Sequence, residues 1–359
     1  MKVLLIGEFS GFHVNLKQGL QKLGVDCVLA ANGDGWKKID GADMPLYDVD
    51  TSSLWKKTKS LLIEPFMRLK ALYGYDVVQL MDPQMYHPFI NRILFRAIKR
   101  HNKKVFVSVP GSCFSLYKAY KEGKLGYYIY DDNPELCRRY ESKTLNRWLQ
   151  EKDEPYIYEH STGVIPIMYE YAVGVRQYKN CLQTIPLPFD ADEIAYKPNV
   201  VGDKIVIYHG LIREKDKGSQ YIKDALKIIQ DKYPDQVEVI VKDKMPLKEY
   251  LSVLERTNIL IDQCKEHCWG MNACYAMALG KIVLGGASDN SLKEFGLESS
   301  PIIHIEPNVE QIVSQIEKLL QKKQEFEKMG EESRRFVETF HNSERIAQQY
   351  LSAWESQGG

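Results

Sequence analysis

Residues Ile261–Gly280 read IDQCKEHCWGMNACYAMALG. The apolar run Ile259–Asp262 ends on an acid and reads as a strand. A polar loop follows, Gly270 opens a helix to about Leu279, and Ile282–Leu284 begins another apolar run. Strand, loop, helix and strand in that order make a βα unit of a parallel sheet. The N–H groups of Gly270, Met271 and Asn272 have no partner within such a helix and lie at its positive dipole end. Ala273, Ala276 and Ala278 are small enough to let a ligand approach. The same stretch also reads as a tightly packed core helix that starts at a glycine.

The rhythm continues in both directions. Upstream, Lys204–Tyr208 and Val237–Val241 are strand-like, with a loop at His209–Gly218, a helix to about Lys232 and another from Leu247. Downstream, Ile302–Ile305 is the last strand. Asn308 with Gln311 forms a capping box, and helices near Gln324–Thr339 and Ser343–Trp354 close the chain. In the first half, Lys2–Gly7 is a strand, and Leu16, Leu20 and Leu23 mark one face of a helix from about His13. Gly24 stops that helix. Cys27–Ala31, Asp76–Leu80, Val105–Val109, Gly163–Ile167 and Leu182–Ile185 are further strands, with a helix near Met85–Arg100. Ser115–Tyr158, rich in Tyr, Lys and Glu, breaks the pattern and reads as an inserted helical or loop segment. Pro186, Pro188, Pro198 and Gly202 form turns where the pattern restarts. The expectation is α/β, with two Rossmann-like domains, 1–195 and 196–341.

Bulk properties agree. A chain of 359 residues fits two domains of about 150 residues each. Lys+Arg and Asp+Glu both number 48, and that neutrality argues against a nucleic-acid partner, which selects for basic surface. No apolar stretch nears the roughly 18 residues of a spanning helix. The first apolar run stops at Glu8 and lacks a cleavage site, so a cytoplasmic protein is expected. The seven cysteines include Cys264, Cys268 and Cys274, whose spacing is not that of a zinc site. Reduced thiols and no metal are expected.

Doubly wound domains bind ligands beyond the carboxyl ends of their strands, and two of them facing each other enclose a cleft. Three loops would lie there. Gly7–His13 (GEFSGFH) has Gly11 for close backbone approach and a helix N-terminus suited to an anion. It lacks G-x-G-x-x-G, so a dinucleotide is not supported, and it also reads as an ordinary turn. Tyr208–Gly218 (YHGLIREKDKG) offers the Arg213 fork and the Lys217 point charge to a diphosphate. Glu214 and Asp216 also make it readable as a solvated charge run. The third loop is the stretch quoted first. Separately, Leu54–Leu72 places Lys56, Lys57, Lys59, Arg68 and Lys70 among Trp55, Ile63, Phe66 and Met67. That pattern fits either an anionic membrane or an ordinary packed helix.

The motif order resembles the group 1 glycosyltransferases, the retaining GT-B family acting on nucleotide sugars. The carriers are Gly210…Arg213…Lys217-Gly218, His267-Cys-Trp-Gly270, Tyr275-Ala-Met-Ala-Leu-Gly280 with Lys281-Ile-Val, Ile185-Pro-Leu-Pro-Phe-Asp190…Tyr196, and the tail from Glu327 to Phe340 and Trp354. The first half matches more loosely. The resemblance implies a GT-B fold whose two domains face each other across a cleft, with helix 342–356 crossing back to the first. It implies that Arg213 and Lys217 neutralise the donor diphosphate and that the backbone of Gly270, Met271 and Asn272 holds the phosphates. Gly11 would lie under donor or acceptor. With cations and a helix N-terminus stabilising the leaving group, neither metal nor cofactor is required. The family's two glutamates, eight positions apart, fall here on His267 and Tyr275. Glu266 stands beside the first, and Tyr275 offers a hydroxyl to ribose. An inverting version would need a base after a first-domain strand, His13 or Asp82.

The implied activity is a hexosyltransferase, retaining, moving sugar from a nucleotide-diphosphate sugar to a glycan or lipid-linked acceptor in polysaccharide biosynthesis. On the membrane reading of Leu54–Leu72, peripheral contact with the inner membrane face is expected as well. The alternatives are a binding or scaffold protein without catalysis, and a sugar-nucleotide epimerase on the same fold.

Overall fold

The computed structural model describes residues 1–32, 40–47, 50, 52–243, 245 and 247–357, without the side chains of 247, 248 and 251. In chain order the first half contains β1 (Lys2–Ile6), α1 (Phe12–Lys22), β2 (Asp26–Ala30), α2 (Leu54–Leu62), α3 (Glu64–Arg68), β3 (Val77–Leu80) and α4 (Pro88–Arg100). Then come β4 (Lys104–Val109), α5 (Phe114–Lys121), α6 (Pro134–Glu141), α7 (Leu145–His160), β5 (Gly163–Pro166) and α8 (Tyr169–Val175). The second half contains β6 (Ile205–Gly210), α9 (Glu214–Lys217), α10 (Ser219–Lys232), β7 (Val237–Lys242), α11 (Leu247–Arg256), β8 (Ile259–Ile261) and α12 (Met271–Ala278). It ends with β9 (Ile282–Gly285), α13 (Asp289–Glu294), β10 (Ile303–His304), α14 (Val309–Leu320), α15 (Phe326–Phe340) and α16 (Ser343–Ser356).

Two five-stranded sheets result, in the orders β2-β1-β3-β4-β5 and β10-β9-β8-β6-β7, with every strand pair parallel. Counted from its own first strand, each sheet has the doubly wound order 2-1-3-4-5. Strand direction of winding reverses between β1 and β3 in one and between β6 and β8 in the other. Parallel strands need both faces covered, and the sequence supplies this by alternation. Ile205, Ile207, Ile259, Ile261, Ile282 and Leu284 enter one apolar cluster of the second sheet, while Tyr208, Leu260 and Val283 enter the other. Each such buried aliphatic side chain contributes about 1.5–3 kcal/mol.

The chain forms two compact units. One comprises Met1–Lys124, Arg138–Pro188 and the C-terminal helix from Ser343, and the other comprises Leu125–Cys137 and Phe189–Asn342. The division at 195/196 read from the sequence differs from this. Phe189 already belongs to the second unit, because its N–H donates to His341 O at 2.7 Å and its ring meets Tyr275 edge-on at 5.1 Å. Helix α16 packs on α1 in the first unit. A Cβ on Gly19 would strike the Ser343 carbonyl, so only glycine lets these two backbones approach. Trp354 Nε1 donates to Gln79 Oε1 at 3.0 Å inside the same unit.

Two elements depart from the sequence expectation. Leu182–Ile185 runs extended along β5, with Leu182 N on Val164 O at 2.8 Å and Ile185 N on Pro166 O at 3.0 Å, yet it forms only the bridge Val164–Cys181. Helix α13 was not expected. Its apolar period is too short to register, and Ser288 starts it by accepting from Ser291 N.

Candidate functional site

The carboxyl ends of β6 and β8 flank the switch point of the second sheet. After β6 the chain turns through Arg213, a non-glycine residue in the left-handed region at φ 55°. Its side chain is exposed. Helix α9 follows, then Gly218 at φ 71°. A Cβ there would lie 2.5 Å from Cys264 Sγ, so both the backbone angle and the space demand glycine. Cys264 N donates to Lys217 O at 3.0 Å, which joins the loops after β6 and β8.

Lys217 is buried, and its Nζ lies 2.7 Å from Asp262 Oδ1. Asn272 Nδ2 donates to the same oxygen at 2.6 Å, and the Tyr250 hydroxyl donates to Asn272 Oδ1. Burial works to raise the Asp262 carboxyl, but the Lys217 ammonium and the hydrogen bonds from Lys217 and Asn272 outweigh it, and the net effect is a lowered pKa. Lys217, read from the sequence as a point charge for a diphosphate, is paired here with Asp262. Asn272 likewise has both ends of its amide engaged, which leaves its backbone N–H for any ligand. His209 stands beneath the site, Nδ1 donating to Ile261 O and Nε2 accepting from Ser219 Oγ, each at 2.8 Å. Desolvation lowers its pKa to about 4.

Helix α12 opens at Gly270 without a side-chain cap, so its first N–H groups keep the orphan character of any helix start. A Cβ on Gly270 would meet nothing within 4 Å. Gly270, Met271 and Asn272 are half-buried. Open space at Gly270, amides for which no acceptor appears among the described residues, and the Lys217–Asp262–Asn272 cluster tied to the same helix start suit an anion. Tyr275 is half-buried against Phe189. The thiols of Cys264 and Cys274 are raised by burial, Cys264 to about 12, so neither acts as a thiolate near neutral pH.

The segment Leu125–Cys137 covers the His267 side of this unit. His267 is buried and donates from Nε2 to Leu125 O at 2.9 Å and Tyr127 O at 3.1 Å. Its Nδ1 meets Ser288 Oγ at 3.2 Å. The Tyr127 ring stacks on it at 4.6 Å. Further ties are Tyr221 to Asp132 at 2.8 Å, Asn133 to Asp216 at 2.9 Å and Lys215 to Glu135 at 3.1 Å, with Lys265 Nζ donating to Asp131 O. His267, expected as a catalytic group, thus has both ring nitrogens engaged within the fold. Glu266 beside it is half-buried, and its N–H donates to Gln263 Oε1 at 2.9 Å.

In the first unit the switch point lies between β1 and β3. Gly7, at φ 88°, has its Cα against Met81 and Met85 from the loop after β3. Glu8 is buried, and its two carboxylate oxygens accept from Gly11 N at 2.6 Å and Val14 N at 2.9 Å. The start of α1, read as an anion site around Gly11, is closed by this carboxylate. His13 is fully buried, its Nδ1 2.7 Å from Gly7 O, and desolvation lowers its pKa to about 4. It supports the loop from within the core. Asp82 follows β3, its Oδ1 accepting from Gln84 N at 2.6 Å. Desolvation raises its carboxyl to about 6 against that hydrogen bond, a value suited to proton exchange near neutrality. Sequence reasoning missed Glu154, which is buried and caps α5 through Phe114 N and Ser115 N, both at 2.7 Å. Among the described residues no group of His, Cys, Asp or Glu gathers to hold a metal ion.

No protein-family model matches the chain, and no curated protein does. Solved structures match it end to end. Sucrose-phosphate synthase from Thermosynechococcus elongatus is 14% identical with TM-score 0.64, covering 99% of both chains. HepE of Anabaena, in complex with UDP and glucose, is 12% identical with TM-score 0.65, covering 99% of this chain and 100% of that one. UDP-GlcNAc 2-epimerase from Neisseria meningitidis, bound to UDP-GlcNAc, is 12% identical with TM-score 0.55 over the same shares. The fold is the two-domain α/β architecture of these proteins, the GT-B fold.

Proposed function

We propose that the protein binds a nucleotide-diphosphate sugar at the β6/β8 switch point and transfers the sugar to an acceptor. The observation that carries this is the uncapped start of α12 at Gly270, open on its Cα side, in a sheet whose β6 loop carries the exposed Arg213. The shared fold with HepE, seen with UDP and glucose, supports it. In the proposed reaction the bond from the anomeric carbon to the diphosphate breaks as the acceptor oxygen bonds to that carbon. Negative charge grows on the leaving diphosphate, where Arg213 and the amides of Met271 and Asn272 stabilise it. Lys217 acts through Asp262 and positions the loop rather than meeting phosphate directly. No metal or cofactor enters this scheme. In a retaining course the departing phosphate takes the acceptor proton. An inverting course needs a separate base, for which the sequence offered His13 and Asp82; of these Asp82, raised to about 6, has the suitable pKa. The acceptor is proposed to be a glycan or lipid-linked sugar of polysaccharide synthesis on the cytoplasmic side.

A second reading is favoured by one observation, the engagement of both His267 nitrogens by Leu125, Tyr127 and Ser288. With that group held in the fold, the protein binds the nucleotide without turnover. Thermal unfolding against UDP, GDP, ADP and their sugars tests both. A ligand at a hundred times its Kd adds about 2.7 kcal/mol of stability. Stabilisation with release of free nucleoside diphosphate supports transfer. Stabilisation without release, across acceptors, supports the binding protein. No shift with any nucleotide overturns both.

A further inference from the structure

The segment Leu54–Leu72 carries five basic residues against one acid in a chain of zero net charge. A packed surface helix would bury the apolar residues of this stretch. Here Leu69 and Leu72 are buried and Leu61 and Leu62 half-buried, but five large apolar side chains stay exposed. In α2 only Ser60 is buried, and in α3 only Pro65. Leu54 is 82% exposed, Trp55 68% and Met67 66%, with Ile63 and Phe66 each at 41%. Trp55, Lys59, Ile63, Met67 and Lys70 recur at helical spacing and are all exposed. Ser60, Pro65, Leu69 and Leu72 form the buried side. Lys56 and Lys59 pair with Asp50 and Glu64. Lys57 and Lys70 form no ion pair among the described residues.

We propose that this face docks on a lipid leaflet carrying anionic headgroups. Trp55, Leu54 and Met67 enter the headgroup–acyl boundary, and Lys57 and Lys70 meet the lipid phosphates. An apolar strip flanked by unpaired ammonium groups, with an indole at its edge, matches that interface in both charge and polarity. Among the described residues no helix is long and apolar enough to cross a membrane, so the contact is peripheral. The inference stands apart from the nucleotide-sugar reading, since it needs no donor.

The test is sedimentation of the full chain with phosphatidylcholine vesicles, alone or mixed with phosphatidylglycerol, without nucleotide. Binding is expected only to the anionic vesicles, blue-shifting tryptophan emission and weakening as salt is raised. Trp55→Ser with Met67→Ser should abolish it. Lys57→Glu with Lys70→Glu should weaken it by roughly tenfold or more. All four positions are exposed, and unchanged thermal midpoints establish that both variants fold. No sedimentation with anionic vesicles, equal binding to neutral ones, or indifference to the substitutions overturns the proposal. A concentration-dependent dimer dissolved by Trp55→Ser, with no vesicle binding, assigns the face to a second copy instead.

Discussion

Lys217 sets its ammonium 2.7 Å from the Asp262 carboxylate, so a cation expected to face a diphosphate is satisfied inside the second unit. The pair joins the loops after β6 and β8, and Asn272 extends it to the start of α12. The loop geometry around Gly270 therefore depends on a buried charge pair.

Removing one partner of that pair leaves the other buried and uncompensated. Lys217→Met is expected to destabilise the protein by about 3–5 kcal/mol. The double variant Lys217→Met, Asp262→Asn should recover part of that loss, because no charge is stranded. Urea unfolding of the four proteins in the cycle measures this. A double variant as unstable as Lys217→Met alone would refute it. The Asp262 carboxyl is held below its ordinary value. Its contribution is thus present above the unfolded value near pH 4 and lost as pH falls through the native one.

Gly218→Ala combines a left-handed backbone with a Cβ 2.5 Å from Cys264 Sγ. Gly123, at φ 74° with nothing within 4 Å, isolates the backbone part alone. Gly123→Ala should cost about 1 kcal/mol, and Gly218→Ala clearly more. Adding Cys264→Ala should return Gly218→Ala toward the Gly123→Ala value. Equal thermal midpoints for the two single variants would remove the steric argument.

His13 and His209 are both held near pKa 4 by burial, against about 6.5 for an ordinary histidine. Each binds its proton in the unfolded chain before the folded one. Stability should therefore be full above about pH 6.5 and fall as pH drops toward 4, by about 1 kcal/mol per pH unit per histidine. Replacing either with Gln should flatten that slope in unfolding measured from pH 7 to 4. An unchanged slope would show that the histidines titrate normally.

The sheets were legible because buried parallel strands are short apolar runs at regular intervals, as in Lys204–Tyr208 and Ile259–Asp262. The helix start at Gly270 was legible for the same reason. What escaped depends on distant partners. Glu8 left a weak signal, an acid three residues before the glycine that opens α1. Asp262 left another, a charge at the end of an apolar strand. Ser115–Tyr158 stood out as foreign to the rhythm, but nothing local says that its stretch Leu125–Cys137 joins the second unit. That attachment rests on His267, Lys265, Tyr221 and Asp216, at least 80 residues away. The pairing of Lys217 escaped because its acid lies 45 positions on, whereas the sequence offered Glu214 and Asp216 close by.

Helix α16 follows the whole second unit in the chain and lies against α1, which precedes that unit. During synthesis the apolar side of α1 stays uncovered until α16 leaves the ribosome, so the first unit cannot finish folding while the second already can. Nor is either unit an unbroken run of codons. A gene cut after Pro188 would separate the leading half from its closing helix and the trailing half from Leu125–Cys137. A swap of halves at that point would leave each unit without a piece that completes it.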